Sequence, residues 1–248
     1  MADRPLLGAA SIPSAPLLVD GVGGGAGPAV ERLRTTVRRV VTRLPVADVM
    51  VLVAAGQAAL HDTAAIDLRG IGQPHITRRL HACPPAIAAL SRITQYPRVR
   101  RPRLPVDVAV LALLVDRDVP VVPLEVPSSA EFPVLAALGT SVVQALEEAG
   151  LTGTLVAAGD LSAGLHDGSP LAARPNAADW DERVVDLFAH GRSAGLADLG
   201  PETADAVGAR SWAPLCVLHG AAAAASLDLA VRSYSAPRGV GYLVLSST

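Results

Sequence analysis

Apolar residues in this chain fall into two patterns, and the alternation between them sets the expected elements. Short continuous runs mark buried strands, because a strand covered on both faces keeps no polar side. Leu6 to Ile12, Asp48 to Gly56 (DVMVLVAAG), Thr154 to Ala158 and the closing GVGYLVLS from Gly239 to Ser246 fit that description. Val106 to Val115 is the strongest such run, and Val119 to Val122 is another beyond the turn Asp116-Arg117-Asp118. Helical spacing governs other stretches. Val30, Leu33, Val37, Val40, Val41 and Leu44 form one stripe between Pro28 and Leu44, with Arg32, Arg34, Arg38, Arg39 and Arg43 opposite. Shorter helices are expected over Pro84 to Ile93, Ala178 to His190, Pro201 to Val207 and Ser211 to Ala225. Ser128-x-x-Glu131 reads as a capping box ahead of a helix ending near Gly150. Strands alternating with helices predict one α/β domain over residues 1–248, three-layered α/β/α, around a mainly parallel or mixed sheet. The strands near Leu6, Val49, Val106, Thr154 and Gly239 are expected to share that sheet, with helices on both faces.

Composition narrows the partners. Aromatic residues are 3% of the chain against 50% hydrophobic overall, so the alanine-rich core is filled with Ala, Val and Leu. All 21 basic residues are arginine, yet the formal net charge is -2, so no global field favours nucleic acid or an anionic membrane. The most apolar internal stretch, Val106 to Val126, is interrupted by Asp107, Asp116, Arg117, Asp118, Pro120 and Pro123, which excludes a membrane span there. No signal-peptide pattern is read at the N-terminus, and Cys83 and Cys216 are expected as reduced thiols, giving a cytoplasmic expectation. A small-molecule ligand and a homo-oligomer are both compatible with this composition.

The candidate chemistry gathers at the strand end GTLVAAGDLSAGL, Gly153 to Leu165. In open α/β sheets ligands bind outside the carboxyl ends of the strands, and here such an end delivers Gly159, Asp160 and Ser162. Gly159 permits a sharp turn, Asp160 offers a carboxylate, and Ser162 offers a hydroxyl that can cap the next turn. Asp160 is expected to be hydrogen-bonded to the backbone amides of its own turn. Three other signals are weaker. Gly21, Gly23 and Ala26 match the dinucleotide fingerprint before a helix, but Pro13 to Asp20 separate them from the strand, and no acidic residue ends the next strand. His81-x-Cys83 lacks a second pair of ligands, and the run RVRRPR reads as an exposed connection between prolines.

Gly-Asp-Leu-Ser after an apolar strand, the segment RSWAPLCVLHGAA around Trp212 and the closing GVGY strand resemble the class III extradiol ring-cleavage dioxygenases with a LigB-like fold, and the related Memo-like proteins. The resemblance implies a fold first. In that family two histidines and a glutamate hold a non-haem Fe(II), and a histidine directly after Gly-Asp-Leu-Ser moves protons. The corresponding places here hold Ser11, the Ala54/Ala55 region, Ala163, and the carboxylate-free stretch Val207 to Ser211 that includes Ala209, with Asp205 the nearest acid. Alanine has no donor atom, and a serine hydroxyl is a poor Fe(II) ligand beside imidazole.

The residues lead to three functional expectations. The first is a catalytically degenerate relative acting as a ligand-binding, scaffolding or regulatory protein, without a cofactor, with a pocket near Ser11, Ser14, Asp160, Ser162 and His166. The second is a dioxygenase-like enzyme with a remodelled site built from His61, Asp160 and His166, holding Fe(II) if the family activity survives. The third is a dinucleotide-dependent oxidoreductase.

Overall fold

The computed structural model describes residues 4–22 and 27–247. Its strands are β1 (Leu6–Ile12), β2 (Val49–Gly56), β3 (Ala59–His61), β4 (Ala64–Asp67), β5 (Thr77–Leu80), β6 (Arg98–Val99), β7 (Val121–Pro127), β8 (Gly153–Ala158), β9 (Leu229–Ser235) and β10 (Tyr242–Ser247). Eight of them form one sheet in the order β6-β3-β7-β2-β8-β1-β10-β9, while β4 and β5 make a separate two-stranded ribbon. β1, β8, β2 and β7 run parallel to one another, and β10 and β9 close one side antiparallel. The four parallel strands therefore end together at one edge of the layer.

Continuous apolar runs become central strands because both of their faces are covered. Along β2, Val49, Val51 and Val53 face one core, and Met50, Leu52 and Ala54 face the other. The helices are α1 (Gly27–Arg43), α2 (Pro84–Thr94), α3 (Val106–Val115), α4 (Phe132–Glu148), α5 (Ala177–Ala189), α6 (Gly200–Ala206) and α7 (Trp212–Ala224). Buried residues of α2, α4, α5 and α7 fill the first core, and those of α1 and α3 fill the second. This is the three-layer α/β/α arrangement. α4 and α7 pack closely: a Cβ at Gly139 would overlap the Val217 carbonyl, and one at Gly220 would overlap the Ala136 carbonyl.

Val106 to Val115 departs from its expected strand and forms α3. Five consecutive residues, Val108 to Ala112, are buried, so the middle of the helix is enclosed on every side and carries no polar stripe to show helical periodicity. Pro105 at its N-cap and Asp116 in the left-handed region at its C-cap delimit it. Four of the five strands expected to share the sheet do so. The strand expected from Val119 starts at Val121 and runs on to Pro127. The capping box is not formed: α4 starts at Phe132, after Glu131, with no side-chain cap bond. Strands β3, β4, β5, β6 and β9 have no counterpart among the apolar runs of the sequence.

Candidate functional site

A cavity of about 410 Å³ opens at the carboxyl end of the parallel strands. Ala55 and Gly56 come from the end of β2, Ser128 from beyond β7, and Ala163 from the segment after β8. Its far wall is the approach to α7, with Ala209, Arg210 and Trp212, and Leu171 leans over it. Ala55, Ala163 and Ala209, which the resemblance singles out at or beside the places of the family's reactive residues, thus line one crevice. Backbone bonds fix two of them: the Ala163 amide donates to the Val207 carbonyl at 3.0 Å, and the Ala209 amide to the Ala204 carbonyl at 2.8 Å. The walls are mostly apolar, and Arg210 and Asp205 supply charge at the rim. The Arg210 guanidinium pairs with Asp107 of α3 at 2.7 Å and reaches the Ala55 carbonyl at 3.4 Å.

Behind the crevice, the turn after β8 is held by polar groups from distant parts of the chain. Asp160 accepts from both the amide (2.7 Å) and the hydroxyl (2.5 Å) of Ser14. Its bonds therefore come from the loop after β1, not from its own turn. Surrounding protein desolvates the Asp160 carboxyl and pushes its pKa up to about 6, against the pull of the two Ser14 bonds and with a further push from Asp107 that Arg210 opposes. The Ser162 amide donates to Asp181 Oδ1 at 2.9 Å, and the Tyr234 hydroxyl donates to Asp181 Oδ2 at 2.7 Å. Burial raises the Asp181 pKa, opposed by these two donors. Ser162 is consequently capped by a buried carboxylate rather than capping the turn itself, and its hydroxyl has no partner among the described residues.

Gly159 and Gly241 make this framework possible. A Cβ at Gly159 would overlap the Leu243 carbonyl and crowd Ser11 Oγ, and one at Gly241 would overlap the Asp181 carboxylate. The Ser211 amide donates to the Asp160 carbonyl at 3.0 Å, which ties the turn to the start of α7.

The remaining candidates lie elsewhere. Ser11 is enclosed in β1 with an unpartnered hydroxyl among the described residues, so Ser14 is the serine that reaches Asp160. His61, fully buried on β3, pairs through Nε2 with Glu125 Oε2 at 2.9 Å. His166 is exposed, and its Nδ1 accepts from the Gly168 amide at 3.1 Å. Neither histidine lines the crevice. Gly21 lies in the turn region between β1 and α1, while Gly23 and Ala26 fall outside the described residues. Asp181, Tyr234 and Arg210 escape sequence reasoning as participants. The Asp181 carboxylate on a helix otherwise marked by Trp180, Val184 and Phe188 was the available sign: all four are buried.

The family model described as the catalytic LigB subunit of aromatic ring-opening dioxygenase matches residues 109–245. The match covers more than half of the chain, and the chain belongs to that family. Among solved structures, an uncharacterized protein, JW3007 from Escherichia coli K12, is similar over 97% of this chain and 99% of its own, with a TM-score of 0.66 and 14% identity. That likeness extends the shared fold beyond the matched segment. No curated protein matches the chain.

The family implies Fe(II), and the crevice residues do not fit it. Ala55, Ala163 and Ala209 offer no donor atom, whereas a divalent iron site needs imidazole or carboxylate ligands in open geometry. Among the described residues no three His, Cys, Asp or Glu side chains are grouped to hold a metal ion. No described helix is long and apolar enough to cross a membrane.

Proposed function

We propose that this chain is a non-catalytic member of the ring-opening dioxygenase family that uses the former reaction crevice to bind a small, largely apolar ligand, in a scaffolding or regulatory role. The observation that carries the proposal is the convergence of Ala55, Ala163 and Ala209 on one cavity of about 410 Å³. That volume suits a small organic molecule, and pockets of this kind combine apolar walls with a few polar groups that orient the ligand. Arg210 at the rim suits an anionic substituent, with its charge moderated by Asp107. The shifted-site enzyme reading has no comparable support, since His61 is committed to Glu125 and His166 to its own loop. Buried, free Cys83 and Cys216 agree with a reducing, cytoplasmic setting.

Anaerobic incubation with Fe(II), desalting, metal analysis and oxygen uptake with a panel of catechols test the proposal. The expected result is no stoichiometric iron and no uptake, together with saturable binding of a small apolar acid that Arg210→Ala weakens. One iron per chain with catechol-dependent uptake overturns it.

A further inference from the structure

A second cavity, of about 510 Å³, lies between the β4–β5 ribbon and the segment beyond β6. Arg79, His81, Arg100 and Arg101 line it. Its one acidic lining residue, Asp62, is already engaged by Arg98 at 2.9 Å. Neighbouring arginines are neutralised in the same way: Arg78 pairs with Asp116, and Arg69 and Arg103 share Asp67. Arg79, Arg100 and Arg101 form no ion pair among the described residues, although they come from two separate stretches of chain.

The backbone holding these arginines is tethered. The Asp62 amide donates to the Val99 carbonyl at 3.0 Å, the Leu104 amide donates to the Ala65 carbonyl at 2.7 Å, and the Thr63 hydroxyl donates to the Arg101 carbonyl. Arg79 sits opposite Ala65 in the β4–β5 pairing. The two walls are thereby cross-linked, and a preorganised site loses less freedom on binding. A smaller cavity of about 310 Å³ continues the cleft along Pro84 and Ile87, at the N-terminal turn of α2, where no side-chain cap opposes the helix dipole.

We propose that this cleft binds the phosphate or pyrophosphate group of a small molecule, at a site separate from the crevice. Exposed arginines from two stretches of chain that line one cavity, with no ion pair among the described residues, match an oxyanion that accepts several charge-assisted hydrogen bonds at once. Nucleic acid is the less suitable occupant. Among the described residues no Phe, Tyr or Trp ring lines the cleft to stack a base, and the net charge of -2 gives no long-range attraction to a polyanion.

Titration calorimetry with inorganic pyrophosphate at low salt tests the site, with Arg79→Gln/Arg101→Gln as the cleft variant. Arg32→Gln/Arg39→Gln, which removes two exposed charges from α1, is the control. Saturable one-to-one binding is expected, weakened at least about tenfold in the cleft variant and unchanged in the control, the scale of losing a charge-assisted hydrogen bond. Arg100→Gln alone provides a second reading if the double variant expresses poorly. Absence of saturable binding by the parent protein overturns the proposal, as does equal weakening in cleft and control variants. Displacement of pyrophosphate by a single-stranded oligonucleotide at lower phosphate concentration would assign the cleft to nucleic acid instead.

Discussion

Two sides of the same turn have different fates in this protein. On the inner side, Gly159, Asp160 and Ser162 are held by Ser14, Asp181 and Tyr234, residues brought from three other parts of the chain. On the outer side, Ala163 faces a cavity together with Ala55 and Ala209, and none of these three carries a group that could react. The difference separates what the fold requires from what the family's chemistry requires. The inner groups satisfy buried backbone donors and permit close strand contacts, so replacing them carries a folding cost. At the outer positions the structural bonds of Ala163 and Ala209 are made by the backbone, so their side chains hold no hydrogen bond of the framework.

The largest expected effect comes from Gly159→Ala. Its Cβ would overlap the Leu243 carbonyl, which belongs to a buried stretch of β10 that has no room to retreat. Loss of about 3 kcal/mol or more is expected, the scale of overpacking combined with broken pairing. The urea midpoint of the purified variant checks this. A midpoint equal to the parent's would show that the inner framework is as tolerant as the outer wall, and the comparison would collapse.

Asp181→Ala comes next. It leaves the Ser162 amide buried without an acceptor and removes the partner of the Tyr234 hydroxyl. A cost of about 2 kcal/mol is expected, within the usual penalty for unsatisfied buried groups and lessened because a desolvated carboxylate is also removed. Tyr234→Phe, which removes one donor only, is expected to cost less. If both variants matched the parent in denaturation, Asp181 would have no part in holding the turn.

Most of the sheet was legible in the sequence and little of this network was, for physical reasons. β1, β2, β8 and β10 could be read because burial on both faces produces continuous apolar runs. The same property misled at α3, where a helix whose middle is enclosed on every side has lost the polar stripe that reveals helical period. β9 was missed because LAVRSYS lies at the sheet's edge with mostly intermediate burial and no clear apolar face. In the site, Ala163, the Ala54/Ala55 region and the stretch around Ala209 were marked out by resemblance, and the convergence of Ala55, Ala163 and Ala209 on one cavity is a fact of the fold. Asp181 and Tyr234 reach the turn through contacts 19 and 53 residues apart along the chain, which no local pattern announces.

Asp160 provides a smaller test that depends on pH. Its folded pKa of about 6 stands above the ordinary value of 3.8, so between these values the folded protein binds more protons than the unfolded chain. Stability therefore falls as pH rises from about 4 to about 6 and levels off above that range. Asp181, also raised, acts in the same direction. Asp48 and Asp67, whose pKa values are lowered by hydrogen bonds from Thr152 and Arg69, favour stability above their unfolded value and lose it as pH falls further. Asp160→Asn retains an acceptor for Ser14 but does not titrate, and its denaturation midpoint is expected to vary less across the same interval. A parent protein whose midpoint climbs from pH 4 to 6, with no difference in Asp160→Asn, would count against the raised carboxyl pKa.

The smallest effect is expected at Ala163, which follows Gly-Asp-Leu-Ser directly. Ala163→His adds a ring beside an open cavity of about 410 Å³, while Ala163 contributes its structural bonds through the backbone, to Val207 and from Leu171. The substitution keeps those bonds, so a change within about 0.5 kcal/mol is expected, as for substitutions away from packed or strained features. Two residues earlier in the chain lies Leu161, 1% exposed, where no such freedom exists. The histidine alone is not expected to restore iron binding or oxygen uptake, because Ala55 and Ala209 still supply no ligand. Denaturation and metal analysis of the one variant separate the two statements. Severe destabilisation would mean that Ala163 is held by packing and belongs with the inner framework. A stable variant that takes up stoichiometric Fe(II) would mean that donors outside the crevice alanines complete a metal site, and the non-catalytic reading would fail.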